Sequence, residues 1–239
     1  MHTVNRVERE HLPDHMARRW PVKRVMDIAV ATLMLLLTWP LFVVATVLVA
    51  LSSSGPVLFR QRRVVEHGRV ITLLKFRTFP VGHADTVWSV GYDDCPTRTG
   101  RFLRRTSIDE LPQLWNVLKG DLSLVGPRPE RPQFAAPLCE QVAGYRDRQR
   151  VPGGLTGLAQ VNGFWGQTSI VGRVELDNRY IDDWSPWLDV AILWRTAGEV
   201  IRRAINPNRS TAQIAVDGVR ARVKSVDNFG SPEPASVGS

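Results

Sequence analysis

The 239-residue chain carries a formal net charge of +8, with 44% hydrophobic and 23% charged residues. That is enough for one globular domain with a core of its own plus an appendage. The basic balance suits nucleic acid, an anionic membrane surface or anionic substrates and does not choose among them, and the only cysteines, Cys95 and Cys139, exclude a zinc-knuckle spacing and a disulfide framework.

Residues 1–22 are polar and mixed in charge, as expected of a loosely ordered arm. Arg18, Arg19, Lys23 and Arg24 then precede an uncharged run from Ile28 to Phe59. Its apolar part, Ile28 to Leu51, is long enough to cross a bilayer. It starts too late and runs too long for a secretory signal, and no small-residue cleavage pattern follows it. Pro40 stands near its middle. Arg60, Arg62 and Arg63 follow closely, so both flanks are basic and the positive-inside rule keeps both on the cytoplasmic side. A half of about 12 residues rises only about 18 Å as helix, short of the roughly 30 Å hydrocarbon core. Two arrangements fit residues 23–54: a helix broken at Pro40 that enters and returns, or a straight, proline-kinked span.

Turn residues at 52–56 close this segment. Val57 to Arg60 and Val70 to Phe76 read as short strands around a turn at Glu66-His67-Gly68. Lys75 and Arg77 fall on one side of the second strand, where they suit a diphosphate or lipid headgroups equally. Pro80 to Thr97 is a polar loop; its Asp93-Asp94 pair reads as a solvated acidic stretch before a metal pair. The arginines of Gly100 to Arg105, Arg105 among them, suit substrate phosphates, the membrane or a solvated helix face.

The most informative stretch is Thr106 to Glu130. Leu111, Leu114, Trp115 and Leu118 recur at helical spacing and predict one apolar face, with Gly120 as the stop. Ser107 and Glu110 fit a capping box, which would make Asp109 and Glu110 ordinary first-turn acids. That start places Pro112 too deep in the helix. A start at Asp109 keeps Pro112 in the first turn and sets the two carboxylates at a helix mouth, where they suit Mg²⁺ bridging to phosphate. Arg128 stands between Pro127 and Pro129 on a stiff backbone, a fork that matches phosphate oxygens. Beyond it, Gln160 and Asn162 alternate on an expected strand, as core amides or as readers of a sugar. Helices are predicted over Val174 to Trp184 and from Ser185-Pro186 to about Ala204. In the second, Trp187 and Trp194 suit a membrane interface or simple packing. From Asn206 onward the composition predicts a disordered tail.

The segment SIDELPQLWNVLKGDLSLVGPRPE resembles, without a break, the bacterial sugar transferase family, the monotopic phosphoglycosyl transferases. GPVLFRQ from Gly55, KFRT from Lys75 and GLTGLAQVNG from Gly154 extend the resemblance over about Lys23 to Arg195. The chain departs from the family pattern at Trp39, Val65, Thr78-Phe79 and Pro152. The resemblance implies an α+β fold: a re-entrant membrane hairpin broken at Pro40 over residues 23–54, a catalytic domain over 55–205 with amphipathic interfacial helices, and a tail over 206–239. It implies transfer of a sugar 1-phosphate from a UDP-sugar to polyprenyl phosphate, with Asp109 as nucleophile and Glu110 with Asp109 holding Mg²⁺. Arg128, Lys75, Arg77 and Arg105 become the expected phosphate contacts. The expected location is the cytoplasmic face of the bacterial inner membrane, with no nucleic-acid partner. The competing reading is a basic peripheral membrane or nucleic-acid-binding protein without catalysis.

Overall fold

The computed structural model describes residues 14–80, 97–164 and 168–205. The Asp93-Asp94 pair, the expected tail and most of the expected N-terminal arm lie outside them. Among the described residues the first element is a helix, α1, Asp14–Ser52. It begins ahead of Lys23, and at about 1.5 Å per residue its path is about 58 Å. Pro21 and Pro40 both lie inside it. The interruption expected at Pro40 is therefore absent: the helix continues through it. Proline here removes a single bond, to the Leu36 carbonyl, which a helix in apolar surroundings tolerates with local adjustment.

Met16, Trp20, Lys23, Asp27, Ala31, Ala45 and Val49 are buried along one stripe of α1. Leu36, Leu37, Trp39, Val44 and Leu51 on the other side are exposed. Within the helix segment Trp20–Ser52 an 18-residue window reaches a mean hydropathy of 2.4, and the segment is long and apolar enough to cross a membrane. Its three charged residues sit at the front end and are all spent on the globular body. Lys23 Nζ meets Asp189 Oδ2 at 2.7 Å in a buried pair. Arg24 donates to the Val117 and Leu118 carbonyls, the open end of a helix. Asp27 accepts from Ser123 Oγ and the Leu124 N–H. At the rear end Arg77 donates to the Ser53 carbonyl, and the Phe42 and Phe76 rings lie 4.8 Å apart.

The strands β1, Leu58–Val64, and β2, Val70–Phe76, form the expected antiparallel hairpin, with Phe59 opposite Lys75 and Arg63 opposite Ile71. Then come α2, Arg98–Arg105, a 3₁₀ turn at Ile108–Glu110, and α3, Gln113–Lys119. The helix begins later than at Asp109, because Pro112 takes the N-cap position where its missing N–H costs nothing. Gly120 stops it in the left-handed conformation, φ 88°. Its inner face also shifts. Leu114 and Val117 are fully buried together with Gln113 and Asn116, whereas Trp115 is 56% exposed. Asn116 explains the shift: its side chain accepts from Leu74 N and donates to the Thr72 carbonyl, tying the helix to β2.

A second, parallel pair joins β3, Ser123–Val125, to β4, Gly154–Thr156. A Cβ on Gly154 would stand 2.1 Å from Gly126 N, so only glycine lets these backbones approach. The helix α4, Pro132–Gln141, lies between them in sequence. The strand expected through Gln160 and Asn162 is instead a short helix, α5, Leu158–Val161. Both amides turn back to local carbonyls, Leu155 and Leu158. Helices α6, Ile170–Asp182, and α7, Pro186–Ile205, complete the described chain. Ser185 caps α7 by accepting from Leu188 N.

Lys23, Asp189, Tyr180 and Trp184 form the joint between α1 and this core: Tyr180 Oη and Trp184 Nε1 both donate to Asp189 Oδ1. Lys23→Met strands the Asp189 carboxylate and should cost about 3–5 kcal/mol. Thermal unfolding of the detergent-solubilised protein reads this as a clear fall in midpoint; an unchanged midpoint would mean the pair is not formed.

Candidate active site

The 3₁₀ turn that carries Asp109 and Glu110 is set by Ser107, whose φ of 57° reverses the chain after α2. Ser107 makes no side-chain cap bond. The capping box is therefore not formed, and neither acid is used as a helix cap. Asp109 is buried, 7% exposed. Glu110 Oε1 accepts from Lys75 Nζ at 2.6 Å and from Arg128 Nη2 at 3.3 Å. Residues from β2, the 3₁₀ turn and the loop after β3 thus converge on one carboxylate oxygen.

The neighbouring acids differ sharply in state. Burial pushes the Asp109 carboxyl up to about 7; Lys75, Arg104 and Arg128 oppose this and Glu110 adds to it. Burial acts on Glu110 too, but Lys75 and Arg128, by charge and by hydrogen bond, outweigh it and hold its carboxyl well below the usual range. Burial also lowers the Lys75 ammonium, with Glu110 and Asp109 pulling back. One acid is locked as an anion and the other is poised near neutrality.

Of the residues singled out in the sequence, Asp109, Glu110, Lys75 and Arg128 come together. Arg77 does not join them. It is buried, 6% exposed, and its guanidinium bonds the Ser53 carbonyl at the end of α1, so it fastens the hairpin to the apolar helix. Pro40 lies in the exposed part of α1. Arg105 is half-buried at the end of α2, but the charge from that helix that acts on Asp109 is that of Arg104. Arg104 also lies 5.3 Å from the Phe79 ring centroid. Arg63 is a further cation near the site that its place among the flanking arginines concealed. It donates to the Pro129 carbonyl at 2.9 Å, and burial lowers its guanidinium to about 10. The period-2 pattern of β1 was the available signal, since it separates Arg63 from the exposed Arg60 and Arg62.

Among the described residues no group of three or more His, Cys, Asp or Glu side chains is placed to hold a metal. The adjacent carboxylates still fit Mg²⁺, which uses one or two carboxylates and completes its shell with water and phosphate oxygens. Both cations on Glu110 take Oε1 and neither takes Oε2.

Two adjacent carboxyls thus stand amid arginine and lysine, beside a long apolar helix. Residues 18–203 match the family described as bacterial sugar transferase. A UDP-glucose:undecaprenyl-phosphate glucose-1-phosphate transferase of Escherichia coli (strain K12) is 44% identical over 181 residues, 73% of this chain and 39% of that protein. One of the same description from Caulobacter vibrioides is 42% identical over 185 residues, 75% of this chain and 69% of its own length. A UDP-N-acetylgalactosamine-undecaprenyl-phosphate N-acetylgalactosaminephosphotransferase of Aeromonas hydrophila is 38% identical over 184 residues, 75% of this chain and 44% of that protein. The chain thus spans less than half the length of the Escherichia coli and Aeromonas relatives. In each case the shared part is most of this chain, and by that match it belongs to the bacterial sugar transferase family.

Proposed function

We propose that this chain transfers a sugar 1-phosphate from a UDP-sugar to undecaprenyl phosphate, or a similar polyprenyl phosphate, by way of a sugar-phosphoryl Asp109. The observation that carries the reading is the contrast between the two adjacent acids. A buried carboxylate with no ion pair among the described residues is the better placed of the two to attack phosphorus, and one already held by two cations is the poorer nucleophile. The relatives' names, each combining a UDP-sugar with undecaprenyl phosphate, support the substrate classes. Two different sugars appear in those names, so the sugar here is a matter for assay.

In the first step an Asp109 oxygen attacks the β-phosphorus of the UDP-sugar. The bond from that phosphorus to the bridging oxygen breaks, and UMP leaves with the electron pair. In the second, an oxygen of the lipid phosphate attacks the same phosphorus, Asp109 departs as a carboxylate, and a sugar diphosphate lipid results. Lys75 and Arg128 supply positive charge for the phosphoryl oxygens, from positions set in advance by Glu110. Mg²⁺, bound through Glu110 and Asp109 together with the diphosphate, would supply further charge neutralisation.

The membrane arrangement follows from where α1 touches the body. Its front end is bonded at Asp27 and its rear end at Ser53, both to the same globular domain. An unbroken helix bonded to one body at both ends keeps both flanks on one side of the bilayer, which supports a segment that enters the membrane without spanning it and a site on the cytoplasmic face. Trp187 and Trp194, each 81% exposed on α7, suit burial at the headgroup level.

Three outcomes test this reading. Wild type should exchange labelled UMP into UDP-sugar without lipid acceptor, and Asp109→Asn should abolish both exchange and transfer while remaining folded; a folded variant with substantial transfer would remove Asp109 as nucleophile. Because ionised Asp109 is the attacking form and its carboxyl is raised to about 7, kcat/KM for UMP release should climb between about pH 6 and pH 8 and then level off. A flat profile over that range would mean the attacking group is ionised throughout. Finally, in a Cys95→Ser, Cys139→Ser background, cysteines at Val22 and Arg62 should both be labelled from the cytoplasmic side. Labelling from opposite sides would establish a simple span.

A further inference from the structure

The loop that presents Arg128 contains Pro127 and Pro129, which have no N–H to donate. It is held by its carbonyls, and four consecutive ones accept hydrogen bonds from outside the loop. The Pro127 carbonyl takes Gly154 N at 2.9 Å and the Glu130 carbonyl takes Val64 N at 2.8 Å. The Arg128 carbonyl takes Arg148 Nη2 at 2.8 Å, and the Pro129 carbonyl takes Arg63 Nη1 at 2.9 Å. Two pins are therefore backbone and two are guanidinium.

The peptide plane before a residue sets its φ and the plane after it sets its ψ, and together they aim its Cα–Cβ bond. For Arg128 the first plane is fixed by Gly154 and the second by Arg148. Arg148 is itself immobilised. It is 4% exposed and its Nη2 lies 2.7 Å from Asp177 Oδ2, which is equally buried on α6. The Tyr145 ring centroid lies 5.1 Å from its guanidinium carbon. Next to it, Arg173 Nη1 bonds Glu130 Oε1 at 2.6 Å, so the residue that ends the loop is fastened to the same helix. Neither Arg148 nor Asp177 is among the groups that bond Glu110.

We propose that Arg148, held by Asp177, is a positioning residue for the Arg128 guanidinium: its bond to the Arg128 carbonyl sets the direction from which Arg128 meets the donor's phosphates. The inference rests on the reading of Arg128 as a phosphate ligand. It extends the site to two residues on separate elements that make no phosphate contact of their own.

The test measures kcat/KM for UMP release by the full detergent-solubilised chain, with UDP-glucose and UDP-N-acetylgalactosamine as donors. Removing one member of a buried ion pair leaves a stranded charge, whereas replacing both with apolar groups of similar size often keeps the fold. Arg148→Met with Asp177→Leu therefore removes the pin while sparing the core, with folding checked by circular dichroism and thermal unfolding. The expected result is a loss on the order of tenfold or more in kcat/KM in a folded protein. In an Arg128→Ala background the same double replacement should cost less than about twofold further, because the group it positions is already gone. If the double replacement does not fold, Arg148→Lys takes its place: the charge opposite Asp177 remains, but the shorter lysine stem ends short of the position of Nη2, the one nitrogen that meets both acceptors. A folded variant with wild-type kcat/KM while Arg128→Ala is impaired would overturn the proposal, as would losses that simply multiply. Arg128→Ala at wild-type kcat/KM would instead overturn the phosphate-ligand reading beneath it.

Discussion

Two acids joined by one peptide bond have different surroundings, and the site is built around that difference. Glu110 collects Lys75 and Arg128 on one oxygen. Asp109 is buried beside them, where desolvation outweighs the same cations. Separation of neighbouring carboxyls in this way is how a single site obtains distinct roles from chemically similar groups. Glu110 is best understood as the organiser of the positive charge that a diphosphate would meet. Among the described residues no side-chain hydrogen bond or ion pair is made by the Asp109 carboxyl. The strands and helices around them supply the parts: Lys75 from the hairpin, Arg104 from the helix before the turn, Arg128 from a loop pinned at its carbonyls.

The long apolar helix is tied to the globular body by polar bonds at both ends. Lys23 and Asp27 would be costly in hydrocarbon. Here both are buried against protein, with Asp189, Ser123 and Leu124 as partners. The apolar stretch therefore starts at Ile28, and its outward face carries Leu36, Leu37 and Trp39. Arg77 closes the rear end. Its contribution is to register the hairpin that carries Lys75 against the apolar helix.

Much of this was legible in the sequence, and the failures have specific causes. Asp109, Glu110, Lys75 and Arg128 stood out because acids in a first turn and a proline-bracketed arginine are local patterns. The hairpin was legible from its β-branched runs and its turn. Arg77 was misjudged because strand alternation fixes a face, while its partner, the Ser53 carbonyl, comes from a different element. Trp115 was assigned to the core by helical spacing, yet Asn116 turns that face toward β2 through two hydrogen bonds that no hydrophobic pattern records. Gln160 and Asn162 looked like strand residues, but the chain stays extended only to Gly157 and turns into a short helix from Leu158. Arg63, Arg104 and Arg148 were hidden among many arginines. Only tertiary contacts distinguish a guanidinium that pins a carbonyl from one that faces water.

The central claim is a covalent bond between Asp109 and the sugar phosphate, and mass spectrometry of the protein tests it most directly. Wild-type protein incubated with the accepted UDP-sugar, without lipid acceptor, and quenched in acid should gain the mass of one sugar phosphate. Peptide mapping should place that mass on Asp109, and added UMP should remove it before the quench. An enzyme that transfers sugar phosphate to lipid under the same conditions, yet never carries the adduct or carries it on another residue, would contradict the account.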